Sequence, residues 1–163
     1  MFERFYPDFH FNSVLDLKAE FFSENRIRFA VLDIDNTLVS YKTERADEAA
    51  RDFLNMLEKA GIKYAFVSNN RKKRVELFAS EFHAPFVSNA AKPFAFGIRL
   101  AMAKIGAKRE ETVLIGDQVF TDIYAGKKAG IKTVMVNPIE AKETPFFGFK
   151  RYFERIVLKD YKG

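Results

Sequence analysis

The chain has 163 residues, with 27 Lys or Arg against 22 Asp or Glu and a formal net charge of +5. Its pI is near 9.3. This length suits a single domain with a real core, and a 48% hydrophobic share excludes a disordered chain. With no cysteine, disulfides and thiolate metal sites are excluded, and a reducing compartment is permitted. No signal-peptide pattern opens the chain, and no apolar run approaches the roughly 18 residues that span a bilayer. The expectation is a cytoplasmic protein, soluble or peripheral at the inner face of a membrane. The positive balance points to an anionic partner, with nucleic acid, phosphorylated metabolites and anionic lipid all open.

Residues 1–12 are dense in aromatics around Pro7 and read as an irregular arm. Asn12 or Ser13 caps a short helix to about Asn25, with Val14, Leu17 and Phe21 at helical spacing. A strand follows over Arg28–Ile34. Thr43–Ala60 reads as a helix with an apolar stripe of Ala49, Phe53, Met56, Leu57 and Ala60, closed by Gly61. Ile62–Val67 is the next strand, a basic helix begins near Arg71, and Phe86-Val87 is a short strand. A helix over Phe94–Ile105, a strand over Thr112–Ile115, a helix over Asp122–Ala129 and a strand over Ile131–Val136 complete the alternation. Near-continuous apolar strands alternating with helices predict an α/β fold, a three-layer Rossmann-like parallel sheet with helices on both faces. One domain is expected throughout: arm and helix over 1–27, core over 28–137, tail over 138–163. In that tail, Phe146, Phe147, Phe149, Tyr152, Phe153, Ile156, Val157 and Leu158 alternate with Lys150, Arg151, Arg155 and Lys159. This is a basic amphipathic helix that either packs on the sheet with its charges in water or lies on an anionic bilayer.

The chemistry gathers at strand ends. Phe29–Leu32 runs into Asp33 and Asp35, which at strand spacing aim at the same space. Ser68 and Asn69 end the second strand, Asp117 ends another, and Lys92 opens a helix. Parallel strands would bring all of these to one rim, where open α/β sheets bind ligands. Acids, a lysine and a hydroxyl together suit a divalent cation bound by oxygen, Mg2+ before others, and a phosphate group. Asp33 is then a candidate nucleophile, Asp35 a general acid and base, and Asp117 a metal ligand. Asp122 is either a helper at the metal or the N-cap of the following helix. Ser68 and Asn69 read equally as turn formers.

Asp33-Ile-Asp-Asn-Thr37, Ser68-Asn69, Lys92-Pro93 and Gly116-Asp117-x-x-x-Thr121-Asp122 resemble, in order and spacing, the four motifs of the haloacid dehalogenase-like phosphatases. The resemblance spans roughly residues 28–137. It implies that Asp33 is the nucleophile and that Asp35 is the acid and base, with Asp35 also offering its carbonyl to Mg2+. It further implies that Ser68 and Thr37 bind phosphate with Asn69 beside them. Lys92 would steady nucleophile and phosphate, and Asp33 and Asp117, with Asp35 and Asp122, would hold the metal. An aspartate at position 35 implies phosphate hydrolysis, since dehalogenase members lack it.

Only short gaps follow Thr37 and Asn70, so no inserted cap domain is expected, and an open site suits a large or membrane-presented substrate or closure by a neighbouring subunit of a homo-oligomer. Pro7-Asp8 in the aromatic arm, Asp35-Asn-Thr-Leu-Val39, Ser68-Asn-Asn70 and Glu143-Thr144 before the tail are similar to the YqeG branch of subgroup IIIA. That branch is related to mitochondrial and plastid phosphatidylglycerophosphate phosphatases. The implied reaction is hydrolysis of phosphatidylglycerophosphate to phosphatidylglycerol. A phosphatase for soluble metabolites, nucleotides or phosphoproteins is the first alternative. A non-catalytic anion- or nucleic-acid-binding module is the second, although no nucleic acid is expected because no RNA-binding motif appears. A phosphoacceptor receiver domain is disfavoured by the Asp-x-Asp-x-Thr spacing.

Overall fold

The computed structural model describes residues 2–141 and 144–163; Glu143 lies outside them. Six parallel strands form one sheet: β1 (Phe9–Phe11), β2 (Phe29–Leu32), β3 (Lys63–Val67), β4 (Phe86–Val87), β5 (Thr112–Gly116) and β6 (Lys132–Val136). Their order is β1-β6-β5-β2-β3-β4. Among the described residues the α-helices are α1 (Ala19–Glu24), α2 (Glu48–Lys59), α3 (Lys72–Ser80), α4 (Phe96–Lys104), α5 (Tyr124–Ala129) and α6 (Pro145–Val157).

Alternation along the strands explains the three layers. Ala30, Leu32, Phe66 and Ile115 face one side, where Phe22, Phe53, Leu54, Leu57, Val75 and Phe78 of α1, α2 and α3 bury them. Val31, Ala65, Val67 and Leu114 face the other, against Ile98, Ala101 and Met102 of α4 and Ala125 and Ala129 of α5. Each fully buried Val, Leu, Ile or Phe among them contributes about 1.5–3 kcal/mol. From β2 the chain winds outward to β4, then returns to the other side through β5 and β6. This reversal puts the crevice at the ends of β2 and β5.

Three expectations change. The aromatic arm is not wholly irregular: Phe9–Phe11 pairs with Val134–Val136 as an edge strand, anchored by Asp8, whose carboxylate accepts from Thr133 N at 2.7 Å. The helix expected from Asn12 to Asn25 is broken into a 3-10 turn over Val14–Asp16, capped by Ser13, and α1, so that Phe22 is buried. Helix α2 starts at Glu48 because the Asp47 carboxylate accepts from Ala50 N, and it buries Ala50 and Leu54 where the stripe had placed Ala49 and Ala60.

Candidate active site

Register carries the strand-end residues to one rim. Leu32 lies opposite Phe66 of β3 and Ile115 of β5, so Asp33, Ser68 and Asp117 emerge within a residue or two of the same level. After Asp35 the chain turns through Asn36 in the left-handed region (φ 61), a conformation asparagine tolerates. Its amide exchanges hydrogen bonds with the backbone of Glu140, donating to O at 2.8 Å and accepting from N at 3.2 Å. Beyond β5, a π-helical turn over Val119–Ile123 precedes α5 and places Asp122 beside Gly116.

Asp33, Asp117 and Asp122 are all buried, and each offers a carboxylate oxygen within 4.8 Å of the others. Lys92 Nζ lies 2.7 Å from Asp33 Oδ1 and 2.5 Å from Asp122 Oδ1. Thr37 Oγ1 donates to Asp33 Oδ2 at 2.9 Å and is 3.4 Å from Asp117 Oδ1. Asp122 does not cap α5, which starts from Ile123 without a side-chain cap; its Oδ2 accepts from Gln118 N at 3.1 Å. Asn69 uses both ends of its amide on the backbone of Lys92, at 2.8 and 3.0 Å, and so fixes where that lysine leaves the chain. Ser68 Oγ is buried and accepts from Asn70 N at 3.0 Å, which leaves its O–H to donate.

Asp35 shares a cavity of 360 Å³ with Asp33, Ser68, Asn69 and Lys92. Its carboxylate is held at the wall by Arg74 (2.8 Å) and Asn70 (3.2 Å). Arg74 also donates to Thr43 O, which ties α3 to the loop before α2.

Burial pushes the Asp33 carboxyl well up, and repulsion from Asp122 adds to this against the opposing pull of Lys92. Burial and Asp122 likewise raise Asp117 to about 6 against Arg151. Burial alone would lower Lys92, but Asp122 and Asp33 hold it above the usual lysine value. Three close carboxylates thus carry more negative charge than the protein neutralises. Oxygen-only donors in that state suit a hard divalent cation.

The sign of the pH effect follows. Asp117 has a folded-state value of about 6 against 3.8 for the free side chain. Between about pH 4 and 6 the folded chain therefore holds more protons than the unfolded one, and without metal its stability falls as pH rises. Asp117 alone accounts for on the order of 3 kcal/mol. In chelator, the thermal midpoint of the wild type should drop relative to Asp117→Asn across that window, and added magnesium should restore it. Parallel profiles for the two proteins would contradict this.

Gly116 gives a second test. A Cβ there would lie 2.4 Å from Asp122 Cβ and 2.7 Å from its Oδ2, closer than packed atoms allow. Gly116→Ala should displace Asp122 and lower phosphate release on the order of a hundredfold, with weaker metal binding by calorimetry. Normal kinetics would show that Asp122 has no part in the site.

Helix α6 contributes what the sequence motifs omit. Arg151 donates from Nη2 to Asp117 Oδ2 (2.7 Å) and from Nη1 to Asp117 O (3.0 Å) and Glu154 Oε2 (2.7 Å). Glu154 in turn accepts from Val119 N at 3.1 Å. Lys150, Phe146 and Phe147 line the cavity that holds Asp33. The helix thus turns Lys150, Arg151 and Glu154 toward the site and Val157 onto Val119, Ile123 and Met135, while Arg155 is exposed and Phe146, Phe149 and Tyr152 are 70%, 63% and 59% exposed. This orientation reverses the packed alternative drawn from the sequence.

The profile of the family described as "Haloacid dehalogenase-like hydrolase" matches residues 15–136. "Probable phosphatase YqeG" of Bacillus subtilis is 31% identical over 158 residues, covering 97% of this chain and 92% of that protein. "Pyrophosphatase PpaX" of Halalkalibacterium halodurans is 34% identical over 98 residues, covering 55% of this chain and 45% of that one. Among solved structures, NagD from Escherichia coli K-12 superposes with a TM-score of 0.57 at 16% identity, covering 74% of this chain and 93% of that one. A superfamily hydrolase from Ehrlichia chaffeensis does so with a TM-score of 0.58 at 14% identity, covering 80% and 98%. The two superpositions carry the fold alone, whereas the family match and the near full-length relative carry the family. The chain belongs to the haloacid dehalogenase-like hydrolases and is a phosphatase of that family.

Proposed function

We propose that the chain is a magnesium-dependent phosphomonoester hydrolase that works through an aspartyl-phosphate on Asp33 and converts phosphatidylglycerophosphate to phosphatidylglycerol. The Asp33 carboxylate attacks phosphorus, the ester P–O bond breaks, and Asp35 gives its proton to the departing alkoxide. Asp35 then takes a proton from water, whose oxygen attacks the same phosphorus. The P–O bond to Asp33 breaks, and phosphate leaves. Lys92 orients the nucleophile from 2.7 Å and balances charge on the phosphoryl oxygens, and the Ser68 hydroxyl donates to one of them. Asp33, Asp117 and the Asp35 carbonyl, with Asp122 alongside, would hold magnesium, which as a Lewis acid withdraws charge from the phosphoryl group.

The lipid substrate rests on one observation above others. Beside the mouth of the cavity, α6 turns Phe146, Phe149, Tyr152, Phe153 and Ile156 to solvent. Its single acid, Glu154, is turned inward onto Arg151, while Arg155 is exposed and Lys159 and Asp160, both exposed, follow the helix. An aromatic, acid-free face of this kind settles into an anionic lipid interface and would present the site to a head group. No helix is long and apolar enough to cross a membrane among the described residues, so the contact proposed is peripheral. Phosphate release from phosphatidylglycerophosphate in mixed micelles, run beside soluble phosphate esters, tests the reading. Preference for the lipid is expected. Equal or greater turnover of soluble esters would discard the lipid and retain the phosphatase.

A further inference from the structure

Three cations of the site are already spent on carboxylates: Lys92 on Asp33 and Asp122, Arg74 on Asp35, and Arg151 on Asp117 and Glu154. Lys150 differs. It is half-buried in the wall of the cavity that holds Asp33. Its Nζ donates to the neutral side-chain oxygen of Gln118, and among the described residues no carboxylate lies within ion-pair distance of it. Gln118 is itself pinned by Thr121 Oγ1 at 3.2 Å, so the ammonium is held in place with no carboxylate in direct contact. Burial draws the Lys150 pKa below the usual lysine value, with Glu154 and Asp122 pulling it back. A lysine set in the wall of the cavity with no carboxylate partner is a candidate functional position.

Topology places Lys150 on one side of the site. β3 and β5 flank β2 on opposite sides. The reacting phosphoryl group belongs over Asp33 at the end of β2, with Ser68 on the β3 side and Lys92 beside the nucleophile. Lys150 comes from α6 and reaches the cavity on the β5 side through Gln118. We infer that Lys150 is a specificity residue that binds a second, non-reacting anionic group of the substrate, so that the site selects phosphomonoesters bearing another phosphate or phosphodiester a few atoms from the scissile ester. This rests on the phosphomonoesterase reading above. The second anion is chemically the same whether it is the phosphodiester of a lipid head group or the other phosphate of a soluble bisphosphate.

The test compares three esters on the wild type, Lys150→Gln and Lys150→Arg with magnesium present. They are propanediol monophosphate, propanediol bisphosphate, and a short-chain phosphatidylglycerophosphate below its micelle concentration. For Lys150→Gln, KM should rise about tenfold for one or both doubly anionic esters, the loss of one charge-assisted contact of roughly 1.4 kcal/mol. Its kcat should hold, the monophosphate kinetics should not move, and Lys150→Arg should recover most of the effect. A rise confined to the lipid names the phosphodiester as the source, and a rise confined to the bisphosphate names the soluble metabolite. An equal loss on all three esters would place Lys150 on the reacting phosphate and overturn the inference, as would no change on any. If the wild type releases phosphate from none of them, the phosphomonoesterase reading itself fails.

Discussion

Asp33→Asn should lower phosphate release by at least about a thousandfold, because an amide cannot form the acyl-phosphate and a covalent route has no substitute nucleophile. The fold should survive. Asp33 is buried with its carboxyl pushed up by desolvation and by Asp122, so a neutral isostere removes repulsion that the folded state otherwise carries. Lys92 keeps its 2.5 Å contact with Asp122, and the thermal midpoint should stay level or rise. Activity near the wild-type rate would remove Asp33 from the nucleophile's role.

Lys92→Met should have the largest effect on stability. Its ammonium is buried between Asp33 and Asp122, and removing one partner of such a cluster leaves uncompensated carboxylates, at about 3–5 kcal/mol. For a chain of this size that is a fall of roughly 6–20 °C in the thermal midpoint. Phosphate release should be lost as well, since Asp33, the proposed nucleophile, loses the lysine that orients it. Combining Lys92→Met with Asp122→Asn should return part of the stability and none of the activity, a coupling that a double-mutant cycle reads directly. Additive losses would mean that the two residues do not act on each other.

Much of this was legible in the chain because the signals are local. Apolar runs ending in Asp33, Ser68 and Asp117 marked both the strands and the rim, and parallel pairing then placed those residues together. What was hidden depends on contacts distant in sequence. Phe9–Phe11 is three residues long and becomes a strand through β6, with Asp8 bound to Thr133 across the chain. Asn69 looks like a turn former until Lys92, 23 residues on, is seen bonded to it. The inverted packing of α6 was illegible for a different reason. Hydrophobic periodicity assumes that the apolar stripe faces the core, yet this helix packs over a cluster of acids, and Arg151 and Glu154 take the inner face. The one available signal was the spacing of Arg151 and Glu154, which at i and i+3 share a helix face.

The proposed nucleophile, Asp33, is tested most directly by stalling the second half of the proposed reaction. Asp35→Asn should still transfer a phosphoryl group from an aryl phosphate, whose leaving group departs without an acid, but it lacks the base that activates water. Mixing this variant with the ester and magnesium should give a burst of aryl alcohol of one equivalent per chain and no steady turnover. After an acid quench, a phosphoryl group should be found on Asp33 by peptide mapping. Steady aryl release with no burst and an unmodified Asp33 would contradict covalent catalysis at this residue.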